Sequence, residues 1–318
     1  MDILARLANL PGALPGACAQ GLIWGIMAIG VYLTYRILDV ADLTVDGSLG
    51  TGGAVCVVMV LNGAPVGLAL LAATAAGMLA GLVTGLFHTA CGIPAILAGI
   101  LTQLALYSVN LRIMGFGTGG GKANLPISVD KYGLLVSARY VRNVALNNPI
   151  LILTIFCAVL IAVLYWFFGT ELGCSLRATG ANQNMARAQG INTNVTKVLG
   201  LMISNGLVAL AGGLLAQYQG FSDINMGRGA IVIGLAAVII GEVIFSRIFR
   251  NFALKLLSAV IGAIIYYIVM VFVLRLGLST DDLKLLTALV VALFLTIPYW
   301  KGKYFTKTSV KKGEKNHA

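Results

Sequence analysis

The residues of this 318-residue chain that could do chemistry are few and far apart. There are eleven carboxylates, two histidines and five cysteines. His317 lies in the terminal tail, far from His88, so the His/Asp/Glu constellation of a membrane enzyme or a metal centre cannot be assembled. Cys18, Cys56, Cys91, Cys157 and Cys174 are odd in number and form no CxxC pair. They read as small apolar packing residues rather than disulfides or metal ligands. No GxxxxGK[ST] run occurs, so the chain lacks the phosphate loop of an ATPase. It is expected to be no enzyme and to need no metal and no cofactor. What remains is a set of isolated polar residues in apolar surroundings: Asp46, Ser48, Asn205, Gln217 and Glu242, with Gln103 and Asn110 beside them. Inside a membrane such groups are costly and mark either a structural bond or a pathway.

Asp46 and Ser48 sit in DVADLTVDGSLGTGG, residues 39–53, where glycines at 47, 50, 52 and 53 permit irregular backbone. Irregular backbone is tolerated at membrane depth where it lines a cavity or is buried in protein. Asp46 reads as the N-cap of the second helix at the cytoplasmic interface. That role is compatible with a place, with Ser48, beside a translocation path. Glu242 lies five residues before Arg247 and reads as one half of an ion pair, with gating as the other possibility. Asn205 and Gln217 either face the pathway or bridge helices.

The elements that must hold these residues follow from composition. Hydrophobic residues make up 59% of the chain and charged residues 10%, with a mean hydropathy of +0.93. A soluble domain carries about 25% charged residues to cover its surface. A soluble enzyme, a disordered chain and a nucleic-acid binder are excluded, and the partner implied everywhere is the lipid bilayer. A crossing needs about 20 apolar residues. Residues 47–111 contain no Asp, Glu, Lys or Arg, and breaks at 62–65 and 88–94 divide them into three helices. With residues 18–35, 143–170, 198–222, 229–246, 256–274 and 285–300, the pattern predicts an all-α integral membrane protein of about nine transmembrane helices, within a range of eight to ten. The second and seventh are the weakest, being short or glycine-interrupted. Gly77, Gly81 and Gly85 recur every four residues and predict a close helix contact.

The net charge is +11, and six lysines fall in the last 18 residues. Placing that tail in the cytoplasm, beside anionic lipid, puts the N-terminus outside and 13 of the 22 basic residues inside. Residues 1–300 then form one permease domain and 301–318 a basic cytoplasmic tail. The opening residues lack a cleavable signal pattern. Residues 115–148 form an outside loop, read as solvated with a short surface helix, whose basic residues could dock an acidic binding protein.

The most informative polar stretch is ELGCSLRATGANQNMARAQGINTNVTK, residues 171–197. Asn182 is a plausible N-cap and Gly190 a left-handed C-terminal glycine, with Gly180 ahead of a helix of about two turns. RATGANQNMARAQGIN followed by NVTKVLGLMISNGLVALAGGLLAQYQG strongly resembles the permeases of bacterial ABC importers of the branched-chain amino acid and ribose type. LTVDGSLGTGGAV and GRGAIVIGLAAVIIGEVIF carry the resemblance further. Within the family it is strongest to the branch of tryptophan/tyrosine transport permeases.

The resemblance implies a bacterial inner-membrane, multi-pass subunit that pairs with a second permease copy, an ABC ATPase subunit and an extracytoplasmic solute-binding protein. It places a coupling helix over residues 179–190, with Arg177, Gly180, Asn182, Ala186, Arg187 and Gly190 as its ATPase-contact residues. The pathway candidates are Asp46, Ser48, Asn205, Gln217 and Glu242. The expected solute is an amino acid, with a sugar or nucleoside as the alternative inside the family. An ion-coupled secondary transporter, the alternative outside it, would need charged groups near the bilayer midplane, and the charge-free run of residues 47–111 argues against that.

Overall fold

The computed structural model describes residues 10–117, 120–128, 131–141, 148–245, 249, 251–275, 285, 287–289, 291–293 and 296. Helix α1 is Leu10–Tyr32, extended by a π-turn at Leu33–Leu38. There follow α2 Val45–Leu61, α3 Val66–Thr89 and α4 Ala95–Met114. A strand β1, Asn124–Pro126, precedes α5 Pro149–Gly169. Two polar helices, α6 Glu171–Ala181 and α7 Gln183–Ala188, lead into α8 Thr193–Gln219. Strand β2, Phe221–Asp223, α9 Ala230–Phe245 and α10 Phe252–Arg275 complete the described chain.

Six of these helices are long and apolar enough to cross a membrane: α1 with its π-turn, α3, α4, α5, α8 and α10. Helices α2 and α9, with 17 and 16 residues, are shorter. At 1.5 Å per residue they span about 25 Å, less than a bilayer core of about 30 Å. Of the ninth segment expected from sequence, residues 285–300, half lie outside the described residues. Arg247, the partner expected for Glu242, lies outside them too, as does the basic tail.

Helices α1 and α8 form the buried centre, while α3, α4 and α5 turn leucines, isoleucines and aromatic rings outward. The α1–α8 contact is antiparallel: Tyr218 donates to the Gly16 carbonyl (3.4 Å), Ser204 donates to the Gly30 carbonyl (2.8 Å), and Leu38 covers Gly200. On the other side of α8 lies the glycine stripe of α3. Gly77 meets Asn205 and Ala209, Gly81 meets the Leu201 carbonyl, and Gly85 faces Val198. A Cβ at Gly77 or Gly81 would run into α8 backbone, so the sequence spacing does mark a close helix contact.

The two short helices begin in mid-protein and run apart. Asn205 stands at the middle of α8, and Ser48, in the first turn of α2, is bonded to it. From there α2 runs alongside the C-terminal half of α8, reaching Gln217 through Cys56. Helix α9 starts at the same depth but runs the other way beside α1. Gly234 packs on Val31 and Met27, and Glu242 reaches Arg36. Both helices therefore present their N-termini to one point near the centre of the molecule.

The loop after α4 differs from a solvated connection. Leu125 and its neighbours pair antiparallel with residues 221–223, and Ile127, Val136 and Val141 are buried. The backbone leaving α8 at Gly220 dips back along α2, and its polar groups need partners there. Strand β1 supplies them, so among the described residues the fold is helical with one small two-stranded ribbon. The short surface helix is a single 3-10 turn, Ala138–Tyr140.

Candidate functional site

Three places carry most of the polar candidates: a capped rod at one end of the molecule, a buried knot at its centre, and a basic cleft beside the rod.

The rod begins at Thr170, whose hydroxyl accepts from the Gly173 amide (3.4 Å) and so caps α6. Glu171 in the first turn suits the helix dipole. Asn182 is extended, at φ −159°, so it ends α6. Its side-chain oxygen then accepts from the Met185 amide (3.1 Å) and starts α7. The end of α7 closes as a Schellman motif: Ile191 bonds to the Ala186 carbonyl, Gly190 to the Arg187 carbonyl, and Gly190 adopts φ +82°. Asn182 and Gly190 thus occupy the cap positions that their types suggest.

The sequence reading differs in one respect. Residues 179–181 belong to the preceding helix, and residues 171–181 are helical rather than a loop. Gly180 lies inside a helix rather than ahead of one, and it presses α6 onto the Ile37 carbonyl and the Leu38 Cα (3.0 Å from an added Cβ). Only a residue without a side chain fits that approach.

The rod is bolted to the buried helices. Ala186 is fully buried, Thr179 and Thr196 share a hydroxyl bond of 2.9 Å, and Arg187 donates to Thr193 (2.8 Å). Asn192 caps α8 through Asn194 and Val195. The outward side of α7 presents Asn184, Met185, Ala188 and Gln189.

The knot gathers Asp42, Thr44, Ser48, Thr84 and Asn205, all buried. After α1 the chain turns at Asp39, the one non-glycine residue with positive φ among the described residues (+55°), and brings Asp42 back inside. The Asp42 carboxylate accepts from the Thr44 amide (2.9 Å) and from Asn205 Nδ2 (2.6 Å). Asn205 Nδ2 also donates to the Leu201 carbonyl (3.0 Å), and Asn205 Oδ1 accepts from Ser48 (2.6 Å). Thr44 and Thr84 share a bond of 2.7 Å, which brings in α3. One turn on, Asp46 accepts from the amides of Gly229 and Ile231 (2.9 Å each). It caps α9, 183 residues away in the chain, rather than its own helix. Its charge sits between two helix N-termini, where both dipoles favour it.

The remaining candidates stand apart from the knot. Gln217 is buried, accepts from the Leu135 amide (3.2 Å) and donates to Cys56 Sγ (3.3 Å), tying the loop after α4 to α2. Glu242 pairs with Arg36 Nε at 3.0 Å. Asn110 is buried with its Oδ1 unpartnered. Among the described residues no group of His, Cys, Asp or Glu could hold a metal ion.

Sequence reasoning passed over Asp42. The usable signal was Thr44 two residues on, an Asx-turn spacing. The Arg36–Glu242 pair joins residues 206 positions apart, and nothing local announces it.

The basic cleft holds Arg36, Arg177 and Lys255 around a cavity of about 660 Å³. The Arg177 guanidinium lies 5.6 Å from the centre of the Phe252 ring.

Comparison with known proteins agrees with this architecture. Residues 14–297 match the family described as the permease component of branched-chain amino acid transport systems. The tyrosine transport system permease protein of Clostridioides difficile is 41% identical over 276 residues, 87% of this chain and 88% of that protein. An uncharacterised protein of Rickettsia prowazekii is 37% identical, covering 88% of this chain and 95% of its own. The autoinducer 2 import system permease protein LsrC of Salmonella typhimurium is 28% identical over 69% of this chain and 59% of that one. Among solved structures, PsaBC from Streptococcus pneumoniae in complex with Fab has the same fold at a TM-score of 0.51, with 16% identity over 96% of this chain and 99% of that one. The chain belongs to the family of branched-chain amino acid transport system permease components, and it is a multi-pass membrane subunit of an ABC transport system rather than an enzyme.

Proposed function

We propose that this chain forms the translocation pathway of an ATP-driven importer of an amino acid in a bacterial inner membrane. The observation that carries the reading is the α6–α7 rod. It is capped at both ends, bolted to the two most buried helices, and exposes an unpartnered surface around Met185. A rod so tied transmits force in both directions. Closure of a separate pair of ATPase subunits against α7 would move α1 and α8 together, a two-state change biased by nucleotide. In this reading α6 and α7 face the cytoplasm, with the N-terminus outside and the tail inside. Arg36, Arg177 and Lys255, all assigned inside by the charge pattern, gather at the rod's end of the molecule, which supports that orientation.

The pathway itself runs beside the joint where α2 and α9 meet at Asp46. Broken helices meeting at mid-depth are where transporters expose backbone to solute. Ser48 and Asn205, sealed inside the protomer, act by holding α2 in place. Two copies of this chain enclose the passage, and the bare faces of α4 and α5 supply the apolar surface for a second copy and for lipid. An extracytoplasmic binding protein docks on the end that carries the β1–β2 ribbon. The tyrosine transport relative supports an aromatic amino acid as solute, while the LsrC relatives keep a sugar-like solute as the second reading.

The test is association. The purified chain should hold an ABC ATPase, and Met185→Glu should release it while the chain still elutes as a folded species. Unaltered association in Met185→Glu, or solute transport by the chain alone, would overturn the coupling role. The binding-protein partner's ligand, measured by calorimetry, separates amino acid from sugar.

A further inference from the structure

We infer that the cleft between α1, α6 and α10 is a binding site for an anionic phospholipid, with the phosphate-bearing headgroup among Arg36, Arg177 and Lys255 and the acyl chains along α5. Two adjoining cavities carry the argument. The larger, about 660 Å³, is lined by Tyr32, Arg36, Arg177, Phe252 and Lys255 among others. Its size falls in the range of about 300–1,000 Å³ typical of small-ligand sites. The second, about 400 Å³, is lined by Tyr165, Trp166, Phe168, Gly169, Thr170, Arg177 and Phe252. Arg177 and Phe252 belong to both, so the two form one groove with a basic end and an aromatic end.

The chemistry of the two ends matches the two ends of a lipid. Tyr165 and Trp166 are 56% and 72% exposed at the last turns of α5, the position of an interfacial aromatic belt. Among the described residues the basic end carries three cations against one carboxylate, Glu242, and that carboxylate is already engaged by Arg36 at 3.0 Å. Among the described residues Arg177 and Lys255 have no ion-pair partner. Arg177 instead rests over Phe252, which orients its fork toward the cleft without neutralising it. A soluble anion would use the cations but leave the aromatic end bare, whereas a phospholipid uses both. Basic pockets between transmembrane helices are known to take anionic headgroups. The inference requires only that α5 crosses the bilayer, so it stands or falls separately from coupling to an ATPase.

The experiment is native mass spectrometry of the full-length chain with phosphatidylglycerol or phosphatidylcholine of the same acyl chains. The chain should retain phosphatidylglycerol preferentially, and Lys255→Gln should weaken that retention roughly fivefold, the worth of one cation near an anionic headgroup. Phosphatidylcholine retention should not change in Lys255→Gln, whereas Trp166→Ala should weaken both lipids alike. Raising the salt concentration on the unaltered chain should erode the preference, an arm that needs no variant to fold. Equal retention of the two lipids, or a preference untouched by salt and by Lys255→Gln, would overturn the site. If glycerol 3-phosphate displaces the lipid as well as a short-chain phosphatidylglycerol does, the cleft takes a soluble phosphate and the lipid assignment fails.

Discussion

One amide holds the centre of this protein. Asn205 uses both its atoms, giving Nδ2 to Asp42 and to the Leu201 carbonyl and taking the Ser48 proton on Oδ1. Asn205→Leu fills the volume but leaves a buried carboxylate with its amide donor gone. Leaving a buried polar group without its partner costs about 1–3 kcal/mol, and more where that group is a carboxylate. We expect Asn205→Leu to lower the unfolding temperature in detergent strongly, while Ser48→Ala, which leaves the carboxylate served, lowers it much less. The same knot tests the energy source. Asp42 is the buried acid at mid-depth that an ion-coupled carrier would titrate. Asp42→Asn keeps the shape and removes the charge, so uptake in proteoliposomes should remain driven by ATP and unaffected by proton or sodium gradients in both forms. Loss of an ion-driven component in Asp42→Asn would contradict the account.

At the scale of elements, the rod was half legible. Asn182 and Gly190 announce their cap roles by type, because few residues accept a helix N-terminus or a positive φ. The helix before them does not announce itself. Gly180 is expected from sequence ahead of the helix, and only its approach to Ile37 explains why α6 keeps a glycine there. Two substitutions separate the roles. Asn182→Ala removes one cap, worth about 1 kcal/mol, and should leave the chain folded with reduced nucleotide-stimulated uptake. Gly180→Val puts a side chain where the Ile37 carbonyl stands, so it should uncouple α6 from α1 and abolish uptake even where the ATPase still binds. Equal uptake in Gly180→Val and the unaltered chain would show that the contact carries no force. The glycine stripe of α3 was fully legible, since its period is local and its purpose is steric.

At the scale of the molecule, the sequence pattern locates the apolar segments but not how deep each one goes. Charge-free runs say where lipid or protein interior can be, and α1, α3, α4, α5, α8 and α10 follow from them. Nothing in those runs tells that α2 and α9 start at the centre and leave in opposite directions. That arrangement rests on long-range bonds: Asp46 to Gly229 and Ile231, Ser48 to Asn205, Arg36 to Glu242. The same limit hid the ribbon between β1 and β2, whose partners lie 99 residues apart at Asn124 and Asp223. The measurement that tests the account most directly is the sidedness and occupancy of α7. Met185→Cys, placed in a chain without its native cysteines, should react with a membrane-impermeant maleimide in inside-out vesicles, stay unreactive in right-side-out vesicles, and become protected when the ATPase subunit is added. Labelling from the outside, or labelling indifferent to the ATPase, would contradict it.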